Sequence, residues 1–136
     1  MPDQRVARGV LDTSVVIDLD TIDVSVLPAE VAVTALTMAE LAAGPHAAAD
    51  AAERARRQDR LQRTEAAFSP LPFDADAARA YGRIYAAVAA AGRKARGARA
   101  VDLMIAAVAC SVELPLCTRN PSDFAALDGL VDIIAI

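Results

Sequence analysis

Arg8-Gly9-Val10-Leu11-Asp12-Thr13-Ser14 decides how the rest of the chain is read. A short apolar run ends on an acid and passes directly into two hydroxyl residues of the type that cap helices. That pattern predicts a buried strand over Arg8 to Asp12 and a short helix over Val15 to Leu19. Asp12 stands where the strand ends. A carboxylate beside apolar residues is costly unless something compensates its charge.

Working outward, Asp20 to Pro28 reads as a loop and β-branched Val31 to Thr34 as a second buried strand. Thr34 or Thr37 caps the next helix, which carries Glu40 and is broken by Gly44-Pro45. Ala47 to Ala67 is rich in strong helix formers. Leu71 to Phe73 is a weak strand between prolines. Asp74 or Asp76 caps a helix to about Ala91, and Gly92 to Arg99 is a basic loop. Ala100 to Val112 is apolar almost all round, hence a buried helix. Leu114 to Thr118 and Val131 to Ile136 are strands, and Pro121 to Leu127 is a short helix. Strands alternating with helices predict an α/β domain, a central and mostly parallel sheet flanked by helices. Ligands of such sheets bind beyond the carboxyl ends of the strands.

The length of 136 residues predicts one domain over 1–136. A hydrophobic fraction of 55% argues against wholesale disorder. Aromatic residues make up only 4% and there is no Trp, so base stacking is a poor main binding mode. A net charge of −4 excludes a polycation that holds nucleic acid by bulk electrostatics. Cys110 and Cys117 are read as buried, reduced thiols. With a single His, a Cys/His zinc site lacks ligands. The N-terminus has no signal-peptide core, and no segment reaches the roughly 18 apolar residues of a membrane span. A cytoplasmic protein is expected.

Three further acids share the character of Asp12. Glu40 lies in Thr37-Met38-Ala39-Glu40-Leu41. Asp102 is the only charge in Val101-Asp102-Leu103-Met104-Ile105-Ala106-Ala107-Val108-Ala109-Cys110. Asp123 lies in Thr118-Arg119-Asn120-Pro121-Ser122-Asp123-Phe124. Each has a plainer reading: Asp12 as a turn or cap, Asp102 and Asp123 as first-turn acids favoured by the helix dipole, Glu40 as a surface residue. Together they suit Mg²⁺ or Mn²⁺, hard cations that prefer oxygen ligands. Such ions stabilise the charge that develops when water attacks a phosphodiester. Without compensation, clustered carboxylates repel one another and some of their pKa values rise.

The four blocks resemble those of PIN-domain nucleases. Asp12-Thr13-Ser14 is similar to their opening motif, and Thr37 to Leu41 resembles the second block with its Glu. Ala100 to Ala107 resembles the third, and Thr118 to Phe124 the fourth, Thr-x-Asn-x-x-Asp-Phe. The resemblance spans Val10 to Ile136 and is nearest to the VapC-type toxins of toxin–antitoxin modules. It implies a PIN fold and a Mg²⁺- or Mn²⁺-dependent endoribonuclease. It further implies a cognate antitoxin that blocks the site, and a homodimer. It suggests Asp12, Glu40 and Asp102 as metal ligands and Asp123 as the fourth acid, with either Asn120 or Asp123 turned to the metal. Ser14, Thr118 and Asn120 look like the polar shell that orients ligands or phosphate.

The basic segment Arg93-Lys94-Ala95-Arg96-Gly97-Ala98-Arg99 precedes the helix of Asp102. We read Arg93, Lys94, Arg96 and Arg99 as holding RNA phosphates at the mouth of the acidic pocket; the alternative is a solvated loop. Arg56, Arg60 and Arg63 share one helix face, and Glu53–Arg57 and Asp59–Arg63 are i,i+4 pairs, the pattern of an ordinary exposed helix. His46 is assigned no catalytic role. Apolar Leu and Val positions between residues 15 and 43 are candidates for an exposed groove as much as for core, and the resemblance implies an antitoxin peptide and a second copy near such a surface. Two other functions stay open: a phosphotransfer enzyme with Asp12 as nucleophile, and a non-catalytic PIN-like binding module. Ser14 weakens the first, because haloacid-dehalogenase-like phosphatases need a second Asp there.

Overall fold

The structure, a computed structural model, describes residues 5–136. Four strands form one sheet: β1 (Arg8–Leu11), β2 (Glu30–Ala32), β3 (Leu116–Thr118) and β4 (Ile133–Ala135). Their order is β2-β1-β3-β4, and all three pairings are parallel. The expected mostly parallel sheet is thus wholly parallel. Five helices flank it: α1 (Thr13–Ile17), α2 (Ala35–Ala43), α3 (Ala51–Ala67), α4 (Ala75–Ala90) and α5 (Ala98–Ser111).

The alternation of one strand divides the interior in two. Successive side chains of a strand point to opposite faces. Val10 packs with Ala80, Ile84, Leu103, Leu116, Phe124 and Leu127, the core on the α4–α5 side. Leu11 packs with Val15, Val33, Leu41, Leu61 and Cys117, the core on the α1–α2–α3 side. The pairs Val10↔Leu116 and Leu11↔Cys117 keep β1 and β3 in the same phase. Burial on both faces is what a parallel sheet between helix layers requires. Gly9 permits the close approach beneath it: a Cβ there would lie 2.8 Å from Pro28 Cγ and 3.2 Å from Cys117 Sγ.

The helix starts follow their caps. Thr34 Oγ1 accepts from the Thr37 amide, so Thr34 is the cap of α2. Asp74 Oδ1 accepts from the Ala77 amide and caps α4. α3 begins at Ala51 and not at Ala47, because Asp50 caps it and Gly44–Ala47 forms a separate 3₁₀ turn around Pro45. Leu71 makes only an isolated parallel bridge to Thr34. Its flanking residues Pro70 and Pro72 have no amide hydrogen to extend a ladder. Pro121–Leu127 is a 3₁₀ helix.

One boundary matters for the site. α5 starts at Ala98, after Gly97 at φ +62°, two residues before the expected Ala100. Arg99 is therefore helical, and Asp102 lies in the second turn. The first turn of α5 holds no acid, so the helix-dipole reading of Asp102 loses most of its force.

On α3 the expected Glu53–Arg57 and Asp59–Arg63 pairs form, and Arg63 also reaches Asp20 at 3.1 Å. The two Arg63 pairs are exposed and of small energetic weight, and Glu53–Arg57 is half-buried. Among the described residues, no helix is long and apolar enough to cross a membrane.

Candidate active site

Asp12 is 4% exposed and directly follows β1. Its amide donates to the Cys117 carbonyl of β3 at 3.0 Å, and its side chain caps α1. Both bonds to its carboxylate fall on Oδ1, from the Ser14 hydroxyl and, at 3.3 Å, from the Val15 amide. Oδ2 makes no hydrogen bond. No buried side-chain polar atom lacks a partner among the described residues, so Oδ2 is open to solvent. The cap role and an outward-facing lone pair coexist on one carboxylate.

Ser14 joins the ends of two strands. Its hydroxyl donates to Asp12 and accepts from the Arg119 amide at 3.2 Å. Thr118, fully buried at the end of β3, accepts from the Asn120 amide at 3.0 Å and turns the chain away from the sheet. The Asn120 side chain is exposed and caps nothing.

Glu40 comes from α2, across the sheet edge. Thr13 Oγ1 donates to Glu40 Oε1 at 2.7 Å and lies 3.0 Å from Thr37 Oγ1. Thr13 has one hydroxyl hydrogen, and Glu40 takes it, so Thr37 is the donor to Thr13. The order Thr37, Thr13, Glu40 is thus fixed by proton count. Thr37 and Glu40 stand three residues apart on α2 and face the same way.

Asp102 reports on the other three acids. Burial first, then the charges of Glu40, Asp12 and Asp123, push its carboxyl up to about 6, against the lowering effect of Arg99. Carboxylates from α1, α2, α5 and the Pro121–Leu127 turn thus share one field. Their oxygens do not converge: among the described residues, no group of three or more His, Cys, Asp or Glu could hold a metal ion as placed. Like charges repel, and three of the acids are turned onto donors of the protein: Asp12 onto Ser14, Glu40 onto Thr13 and Asp123 onto Arg99. In donor chemistry and charge the set fits a hard divalent cation: every donor is oxygen, and Asp102 carries an unmet need for positive charge.

The basic segment divides. Arg93 Nη1 donates to the Ser122 carbonyl at 3.0 Å, and Arg99 Nη1 to the Asp123 carbonyl at 2.7 Å. Arg99 Nη2 also reaches Asp123 Oδ1 at 3.3 Å. These two arginines hold the turn that bears Asp123. Lys94 and Arg96 are exposed, with no hydrogen bond or ion pair among the described residues.

Sequence reasoning missed Thr13, Thr37 and Arg119. Thr13 lay in a quoted motif but was read only as a capping type. Arg119 contributes its amide to Ser14, and its guanidinium lies 3.5 Å from Asp18. Both cysteines are free; Cys117 is buried and Cys110 half-buried. Burial, then the charge of Asp12, raises the Cys117 thiol to about 11, which makes it inert.

An all-parallel sheet in the order β2-β1-β3-β4, with acids from both helix layers sharing one field near its carboxyl edge, defines the class. The chain belongs to the PIN-domain family, whose model matches residues 9–130. It is 44% identical over 130 residues to Ribonuclease VapC5 of Mycobacterium tuberculosis (strain ATCC 25618 / H37Rv), covering 93% of each chain. A crystal structure of VapBC-5 from that species, a member of the VapBC family of toxin–antitoxin systems, superposes with a TM-score of 0.84 at 45% identity, covering 96% of this chain and 99% of that one. FitAcB from Neisseria gonorrhoeae superposes at 0.70 with 27% identity, over 92% and 95% of the two chains. DNA-bound VapBC from Salmonella typhimurium, at 21% identity over 96% and 98%, shares the fold with a TM-score of 0.75.

Proposed function

We propose that this chain is a VapC-type toxin, a metal-dependent endoribonuclease neutralised by a cognate VapB-type antitoxin. One observation carries the chemistry: three acids far apart in sequence, Asp12, Glu40 and Asp123, act on one further carboxyl, that of Asp102. Kinship with Ribonuclease VapC5 supplies the substrate class. We read residues 1–136 as one PIN domain acting in the cytoplasm.

In this reading Asp12, Glu40, Asp102 and Asp123 hold Mg²⁺ or Mn²⁺. The bound ion supplies Lewis-acid stabilisation of charge on the phosphate and lowers the pKa of the attacking water. The protein's own residues prepare for it. Ser14 fixes Asp12 Oδ1 and leaves Oδ2 outward. Thr13 aims Glu40. Lys94 and Arg96, exposed and unpaired beside α5, take RNA phosphates without reading sequence. The reading of Asp12 as a phosphotransfer nucleophile falls with membership of the PIN family.

An antitoxin and a second copy need apolar surface. Val24 is 70% exposed and Val26 55%, and Ile17 is also an exposed large apolar residue. Val26 also lines a cavity of about 400 Å³ with Val6, Leu27, Pro28 and Ile134. Apolar surface of this kind marks protein partners, and it supports both the antitoxin and a homodimer.

The test is cleavage of total cellular RNA by the purified protein with Mn²⁺, with Mg²⁺ and with chelator, beside Asp102→Asn. Discrete fragments that require both metal and Asp102 are expected. Equal cleavage in chelator would overturn the metal-dependent reading. Absence of cleavage and of metal binding would return the chain to a non-catalytic PIN-like module.

A further inference from the structure

We propose that Arg99 is the internal counter-cation of the acidic site, paired with the Asp123 carboxylate until a divalent cation replaces it there. The inference rests on the metal-dependent reading above and assigns Arg99 a role in metal loading, not only in substrate binding.

The two bonds from Arg99 to Asp123 are unequal. Nη1 reaches the main-chain carbonyl at 2.7 Å, whereas Nη2 reaches Oδ1 at 3.3 Å. Bonds between an ionised donor and an ionised acceptor are ordinarily the shorter ones. Here the guanidinium is seated on the neutral carbonyl, and the carboxylate is the looser partner. The ion pair can open while the carbonyl bond persists.

Arg99 also faces more than one acid. It stands three residues before Asp102 on α5, on the same side of the helix. Its charge opposes the repulsion that Glu40, Asp12 and Asp123 exert on Asp102.

Arg93 supplies an internal comparison. It bonds the adjacent Ser122 carbonyl at 3.0 Å and makes no ion pair among the described residues. The turn bearing Asp123 is therefore held from two sides, and its place does not depend on Arg99 alone. The two arginines separate holding the turn from neutralising the acid.

A divalent cation bound by Asp123 takes a carboxylate held by Arg99 and repels the guanidinium beside it. Cation and guanidinium thus compete. On loading, the Nη2–Oδ1 pair opens and the guanidinium pivots about the Asp123 carbonyl, staying at the rim of the site. No covalent bond changes.

The experiment is a calorimetric Mn²⁺ titration of the intact protein, with R99Q, R99K and R93Q, each first checked by thermal melting. Removing this half-buried ion pair should tighten Mn²⁺ binding by R99Q about three- to fivefold. R99K keeps the charge and should stay near the wild type, as should R93Q. Binding by R99Q equal to or weaker than wild type would overturn the competition and leave Arg99 as a support for the turn. Tightening by R99K as large as by R99Q would overturn the role of charge. If the wild type itself binds no Mn²⁺, the metal-dependent reading fails and this inference with it, a result distinct from the other two.

Discussion

Thr13 and Glu40, 27 positions apart in the chain, are joined by a 2.7 Å hydrogen bond in which the hydroxyl donates. Thr37, buried behind them, donates to Thr13 and so points the proton of Thr13 at the carboxylate. A residue that looks like a helix-cap type in the sequence thus aims the second acid. Thr13→Val keeps the shape and removes the donor. It should lower kcat/KM about tenfold, in the range for residues that orient metal ligands. Thr13→Ser should restore most of it. Equal activity of the Val and wild-type proteins in an RNA cleavage assay would remove Thr13 from the machinery.

Asp12→Asn separates charge from fold. Asn caps helices about as well as Asp and keeps an acceptor for the Ser14 hydroxyl and the Val15 amide, so the fold should be retained. The anionic oxygen that faces outward is lost. Growth inhibition on expression should disappear while the thermal melt stays in place. Full toxicity of this variant would count against metal catalysis.

Asp102 gives stability a pH dependence with a definite sign. Its carboxyl titrates at about 6 in the fold, against 3.8 as the ordinary value. Between these two pH values the folded state binds more protons than the unfolded state, so stability falls as pH rises. Below the lower value the penalty is absent, and above the upper one it is complete. Asp102→Asn removes the penalty. At pH 7 this should stabilise the protein by about 1 kcal/mol after discounting for solvent screening, or about 4 °C in Tm, with loss of cleavage. Metal binding should weaken as pH drops through about 6, because protons compete for the same oxygens. Denaturant titrations at pH 4.5 and 7 on both proteins check the sign.

The division of the basic segment can be measured by salt dependence. Arg96→Ala should weaken RNA binding and reduce the slope of log K against log salt by about 0.7, one single-stranded phosphate contact. Arg93→Ala should leave that slope alone, because its guanidinium is engaged on the Ser122 carbonyl. A slope unchanged in Arg96→Ala would take the loop out of the RNA path.

Gly9 is a packing requirement at the centre of the sheet. With Pro28 Cγ 2.8 Å and Cys117 Sγ 3.2 Å from an added Cβ, one of these neighbours must shift. Gly9→Ala should cost about 1 to 3 kcal/mol, read as a lower urea midpoint at unchanged m-value. An unaltered midpoint would mean that the Pro28 ring yields freely.

Much of this protein is legible in its sequence. The apolar run ending in Asp12, the buried character of the helix with Asp102 and the alternation of elements predict the α/β architecture. Periodicity and burial are local consequences of residue type. The exact starts of α3 and α5 were less legible. Asp50 and Gly97 compete with neighbouring signals there, and a cap is chosen by whichever geometry closes best.

The sequence by itself determined which residue types are present and in what order: four acids, hydroxyl residues beside the first, and two basic runs. It thereby determined the family. Only the tertiary structure decided the partners. Thr13 meets Glu40 because β1 and α2 converge at one sheet edge, and Ser14 meets the Arg119 amide because β1 and β3 are neighbours. Arg99 meets Asp123 because α5 begins early enough to carry it inward. These contacts join residues 24 to 105 positions apart. Residue type and spacing leave such pairings open, because hydrogen bonds and ion pairs depend on distances that only the packed chain sets.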